Sequence, residues 1–161
     1  MKILLAVDGS KYSLDAVDSL VDHADWYRES PEVELLTVHL PIPKLPGFSL
    51  AVGKSQLQSY YQEEGEARLA PAKKKLDAAG LKYTARVLVG PIGETIVKRA
   101  KESGCDLIYI GTRGMSAASA LLGSTATKVL NLSAVPVLLV VRSGESPDAP
   151  TLRTPDPVPF A

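Results

Sequence analysis

The chain has 161 residues, a length that fits one domain, and a core of that size holds together without disulfides or a structural metal. Hydrophobic residues at 45% and charged residues at 22% exclude general disorder and collagen-like repeats. With 18 Lys and Arg against 18 Asp and Glu the formal net charge is zero, so no global positive field draws in DNA or RNA.

Ile3–Val7 is short, apolar and bounded by Asp8, and reads as a strand. Leu14, Val17, Leu20, Val21 and Ala24 then recur at helical spacing, with Ser13 as the predicted N-cap. Asp15, Asp18, Asp22 and Asp25 fall on the opposite face and read as solvated surface rather than a metal site. Val33–Leu40 is the second strand. The connection Pro41–Lys54 is long and holds Pro41, Pro43, Pro46, Gly47 and Gly53; loops of that length are more often functional or mobile than idle. A helix follows over about Ser55–Ala79 and ends at Gly80, with Pro71 expected to kink it or to begin a second segment. Lys73, Lys74 and Lys75 read as solvated surface.

Tyr83–Val89 alternates polar and apolar residues, the pattern of a half-exposed strand near a sheet edge. Ile92–Ser103 is the third predicted helix, Leu107–Ile110 the fourth strand, about Ser124–Leu132 the fourth helix and Val137–Val141 the fifth strand. Beyond Val141, residues 142–161 hold five of the twelve prolines and no periodic apolar pattern, so a flexible Pro-rich tail is expected after a 1–141 domain. Strands alternating with helices predict an α/β fold, a single doubly wound five-stranded parallel sheet with helices on both faces.

The one cysteine, Cys105, can build neither an internal disulfide nor a cysteine zinc cluster and reads as a small core or helix-exit residue. Only five apolar residues separate Lys2 from Asp8, too few for an export signal, and no run reaches the roughly 20 apolar residues of a membrane span. The expected setting is the cytoplasm.

Ligands of open parallel sheets bind beyond the carboxyl ends of the strands. Asp8-Gly9-Ser10 follows the first strand, Gly111-Thr112-Arg113-Gly114 ends the fourth, and Gly123-Ser124-Thr125 opens the last helix. Glycines admit an anion to the backbone, and a helix N-terminus offers unpaired N–H groups, so these residues spell a phosphate site. The pattern contains no Gly-x-x-x-x-Gly-Lys-Ser/Thr and no Gly-x-Gly-x-x-Gly after the first strand, which sets aside a P-loop and a usual dinucleotide site. Ser10 stands where a phosphoryl-aspartate phosphatase needs a second Asp, and Gly90-Pro91 follows the strand where a receiver domain needs one. No Ser sits on a Gly-x-Ser-x-Gly turn. His23 falls in a helix, whereas His39 lies at the ligand-side edge of the sheet.

Taken together, Ile3-Leu4-Leu5-Ala6-Val7-Asp8-Gly9-Ser10, Asp106 through Gly114, Gly123-Ser124 and Val135-Pro136-Val137-Leu138-Leu139-Val140-Val141 resemble the universal stress protein family over Met1–Val141. The resemblance implies a Rossmann-like, adenine-nucleotide-binding fold and an ATP-binding regulator of stress responses that acts as a homodimer. It implies that Asp8 contacts ribose, that backbone near Val38 contacts adenine, and that Gly111, Gly114, Gly123 and Ser124, with Thr125 following, hold ribose and phosphates. Arg113, inside the glycine element, can reach a phosphate. ATP, with or without Mg2+, is the expected cofactor.

One departure stands out. The eight residues Met115–Leu122 between the two glycine elements are one fewer than in ATP-binding members. The alternative expectation is therefore an interaction protein of the same fold with an empty crevice. No residue stands out as a base to activate water, so the chain is expected not to be an enzyme; a slow ATPase or autophosphorylating protein is a third option. Strand Val137–Val141 would lie at a sheet edge, where a bare apolar strand invites pairing, and family members similarly pair these strands across a two-fold axis. An unidentified protein partner is also expected, but neither nucleic acid nor membrane.

Overall fold

Short Val-, Ile- and Leu-rich segments pair side by side in the computed structural model, which describes residues 1–43, 53–112 and 122–141. The strands are β1 (Lys2–Ala6), β2 (Glu32–His39), β3 (Tyr83–Val89), β4 (Leu107–Gly111) and β5 (Val137–Val140). They form one five-stranded parallel sheet in the order β3-β2-β1-β4-β5. The helices are α1 (Lys11–Asp22), α2 (Lys54–Ala78), α3 (Ile92–Glu102) and α4 (Ser124–Leu132), and a short 3-10 turn, Ala24–Trp26, follows α1. None of them is long and apolar enough to cross a membrane.

Alternation along the strands sends side chains to two separate cores. Ile3, Leu5, Val33 and Leu35 pack with Ala16, Val17 and Leu20 of α1 and with Leu69, Ala72 and Leu76 of α2. Leu4, Leu36, Val38 and Ile108 pack on the other face with Ile96 and Ala100 of α3 and Val129 of α4. Both faces are covered, the doubly wound architecture that the sequence predicts. The half-exposed β3 forms one edge and β5 the other.

Local differences from expectation have physical causes. Ser10, not Ser13, is the N-cap of α1: its hydroxyl accepts from the Ser13 amide at 3.2 Å. Gly9 adopts φ +82°, which turns the chain early enough for the helix to begin at Lys11 and buries Ser13 inside it. Pro71 begins no second segment, since α2 is one helix from Lys54 to Ala78. Pro71 and Ala67 are both exposed, so the carbonyl that loses its usual donor lies on the water side. Asp18 stays half exposed, in keeping with a solvated face, and there pairs with Lys75 of α2 at 2.5 Å. Cys105 is buried, and burial pushes its thiol pKa up.

The sheet also holds a charge that its apolar pattern did not single out. Glu34, 1% exposed in the middle of β2, is hydrogen-bonded by Arg99 of α3 and lies 3.3 Å from Arg86 of β3 and 3.6 Å from Lys2 of β1. Burial pushes its carboxyl up, but the hydrogen bond and charge of Arg99, with Lys2, hold it below the usual carboxylate range.

Candidate functional site

The strand order switches between β1 and β4, which run parallel side by side with their connections leaving toward opposite edges. A cavity of about 480 Å³ lies at their carboxyl ends, within the roughly 300–1,000 Å³ of small-molecule sites. It is lined by Asp8, Val38, Gly111, Gly123, Ser124 and Thr125, so six residues singled out from the sequence converge on one space. Arg113 and Gly114 lie outside the described residues. So do most of the Pro41–Lys54 connection, the segment between the two glycine elements up to residue 121, and the tail 142–161.

Each wall is built by its own local chemistry. Asp8 follows β1, and its Oδ1 accepts from the Ser10 amide at 2.9 Å while the Ser13 hydroxyl accepts from its backbone amide at 3.3 Å. These bonds hold the carboxylate at the mouth of the turn into α1. On the far side, Gly123 caps α4 without a side chain, and no side chain closes the first turn. Its own amide is engaged by the Thr112 carbonyl at 2.6 Å, and the first helical bond runs from the Thr127 amide to the Gly123 carbonyl at 3.0 Å. Gly123 therefore shapes the turn, and the helix-end N–H groups of Ser124, Thr125 and Ala126 are those placed to meet an anion, with the helix dipole behind them.

The cavity has a further wall that the sequence reading did not assign. Tyr60, Tyr61 and Arg68 of α2 line it, together with His39 and Ile42. The Tyr61 hydroxyl accepts from the Ile42 amide at 2.7 Å and so holds the chain leaving β2 against α2. The signal was present as a stripe: Tyr61, Gly65, Arg68 and Ala72 recur at helical spacing on one side of α2. Only the fold shows which strand ends that stripe covers. Apolar contacts complete the cavity, from Ala6, Leu36, Ile92, Ile96 and Ile110.

Comparison with known proteins agrees with this architecture. The model of the universal stress protein family matches residues 1–141. Universal stress protein YxiE of Bacillus subtilis is 31% identical over 148 residues, covering 86% of this chain and 97% of the relative. Universal stress protein MJ0577 of Methanocaldococcus jannaschii is 29% identical over 157 residues, covering 88% and 94%. The solved structure of MJ0577 superposes with a TM-score of 0.73 at 30% identity, covering 89% of this chain and 97% of that one. A universal stress protein solved in complex with cAMP superposes with a TM-score of 0.65 at 26% identity, covering 87% and 96%. With one family model across every strand and helix of the sheet, and relatives matched nearly end to end, the chain belongs to the universal stress protein family.

Proposed function

We propose that this protein binds an adenine nucleotide, ATP foremost, and acts as a nucleotide-occupied regulator rather than a catalyst. The observation that carries this reading is a cavity that has the Asp8 turn at one end and, at the other, the N-terminus of α4, which no side chain caps. The α4 amides and the hydroxyls of Ser124 and Thr125 receive the phosphates, Asp8 receives the ribose, and backbone near Val38 receives the base. Mg2+ would accompany the phosphates. With no net charge to attract an anion from afar, the ligand is held by short-range amide and hydroxyl contacts. The relative solved with cAMP supports a nucleotide in this fold.

The regulator acts as a homodimer in the cytoplasm. Support for the dimer comes from β5, an apolar edge strand, and from Leu132 and Val141, which flank it in the chain and are 48% and 72% exposed. The eight-residue spacing between the glycine elements favours a second reading, a partner-binding protein whose crevice stays empty.

Denaturing the purified protein and analysing the released small molecules by mass spectrometry separates the two. Adenine nucleotide near one per chain, with a rise in Tm on adding Mg-ATP to emptied protein, is expected. No released nucleotide and no thermal shift would leave the partner-binding reading standing.

A further inference from the structure

Among the described residues, two polar side-chain atoms of β2 are buried without a hydrogen-bond partner, the Thr37 hydroxyl and Nε2 of His39. Strand alternation puts both on the face covered by α1 and α2. Of the two residues, His39 lines the cavity, and it is 4% exposed. A buried ring nitrogen with no partner is a standing cost to the fold, and such a group calls for a reason, of which a bound molecule that supplies the missing partner is one. The His39 carbonyl is already engaged by the Gly90 amide at 2.8 Å, so the ring is what this residue offers.

Strand order sets which part of a ligand meets that ring. The anion end of the cavity follows β4, Asp8 follows β1, and His39 ends β2. Two strand spacings, about 10 Å, therefore separate the phosphate end from His39, with Asp8 between them. A phosphate on α4 and a ribose at Asp8 bring the base to the end of β2. There the His39 ring faces Tyr61, at 5.7 Å between centroids, and the charges of Arg68 and Glu64 from α2. Burial, and after it the Arg68 charge, lower the imidazole pKa against the opposing pull of Glu64, which favours the neutral ring with its one donor and one acceptor.

We propose that His39 is the base-reading residue of this crevice, its imidazole hydrogen-bonding the edge of the bound purine. The proposal rests on the nucleotide reading above and extends it from the phosphates to the base. Adenine suits the ring because its edge presents both donors and acceptors, whichever imidazole tautomer is present.

The chain holds two histidines, His23 and His39, so long-range 1H–15N spectra of the full-length protein contain only two imidazoles. Saturation with AMP is expected to move the His39 Nε2 signal and leave His23 in place. His39→Leu, which removes a buried polar atom that has no partner and so should still fold, is expected to weaken AMP binding about tenfold by calorimetry. His39→Gln, which keeps a hydrogen-bonding group, should recover part of that loss. An unmoved His39 signal in AMP-saturated protein, or undiminished AMP affinity in His39→Leu, would overturn this proposal alone. Failure of the unaltered protein to bind AMP or ATP at all would overturn the nucleotide reading, and this one with it.

Discussion

Gly9 shows how one backbone angle sets a binding site. At φ +82° it occupies the left-handed region, and a Cβ there would meet Arg68 of α2 at 3.1–3.2 Å. Gly9→Ala is expected to cost roughly 1–2 kcal/mol from the strained angle, read by urea denaturation, and to weaken nucleotide binding by displacing Asp8. The Asp8-Gly9-Ser10 turn was legible in the sequence because glycine after an apolar strand is local chemistry. Arg68 and Tyr61 were not, since nothing near them in the chain marks an α2 residue as the wall of a pocket built on β1 and β2. Ser13 marks the same limit from the other side: it has the right chemistry for a cap, but the turn at Gly9 handed that role to Ser10.

At the scale of elements, two contacts decide how the strands and helices are locked together. Glu34 draws cations from β1, β3 and α3 onto the centre of β2. Glu34→Gln strands those cations beside an apolar core and is expected to lower stability by roughly 2–3 kcal/mol, less than a fully buried pair because Lys2 and Arg86 reach water. The pH dependence has a definite sign. A carboxyl held below its ordinary pKa in the folded protein contributes stability that is present above the unfolded value, about 4.3, and is lost as pH falls through the folded one. Urea midpoints measured from pH 6 to pH 3 should therefore fall more steeply for the unaltered protein than for Glu34→Gln.

The second contact is Gly65, where α2 crosses β3. A Cβ at Gly65 would lie 2.4 Å from both methyl carbons of Val87, whose branched side chain has little freedom to yield. Gly65→Val is expected to pry α2 from the sheet and cost about 3 kcal/mol in chemical denaturation, more than helix propensity can return. The helix itself was legible from its length, its spacing and its end at Gly80. The reason for a glycine in its interior was not, because it depends on a residue of another element.

At the scale of the whole molecule, the half-buried apolar edge strand β5 and the exposed Val141 beside it bear on assembly. Val141→Asp places a charge at the end of that edge, and the proposed homodimer predicts that light scattering after size exclusion shows a dimer for the unaltered protein and a monomer for the variant. A monomer from the unaltered protein would remove the dimer from the proposed function. Family membership and the sheet were both readable in the chain, because β1, β4 and the glycine turns announce themselves through local apolar runs and turn residues. The order β3-β2-β1-β4-β5 is not fixed by that alternation, since other doubly wound orders obey the same crossover rule. What only the tertiary structure decided is which distant residues share a space. It set Arg68 and Tyr61 over the crevice, gathered four elements on Glu34, engaged the amide of Gly123 with Thr112, and left Nε2 of His39 unpaired. Sequence patterns report the energy of a residue against its own neighbours along the chain, whereas a site is made of contacts between segments that meet only when the sheet closes.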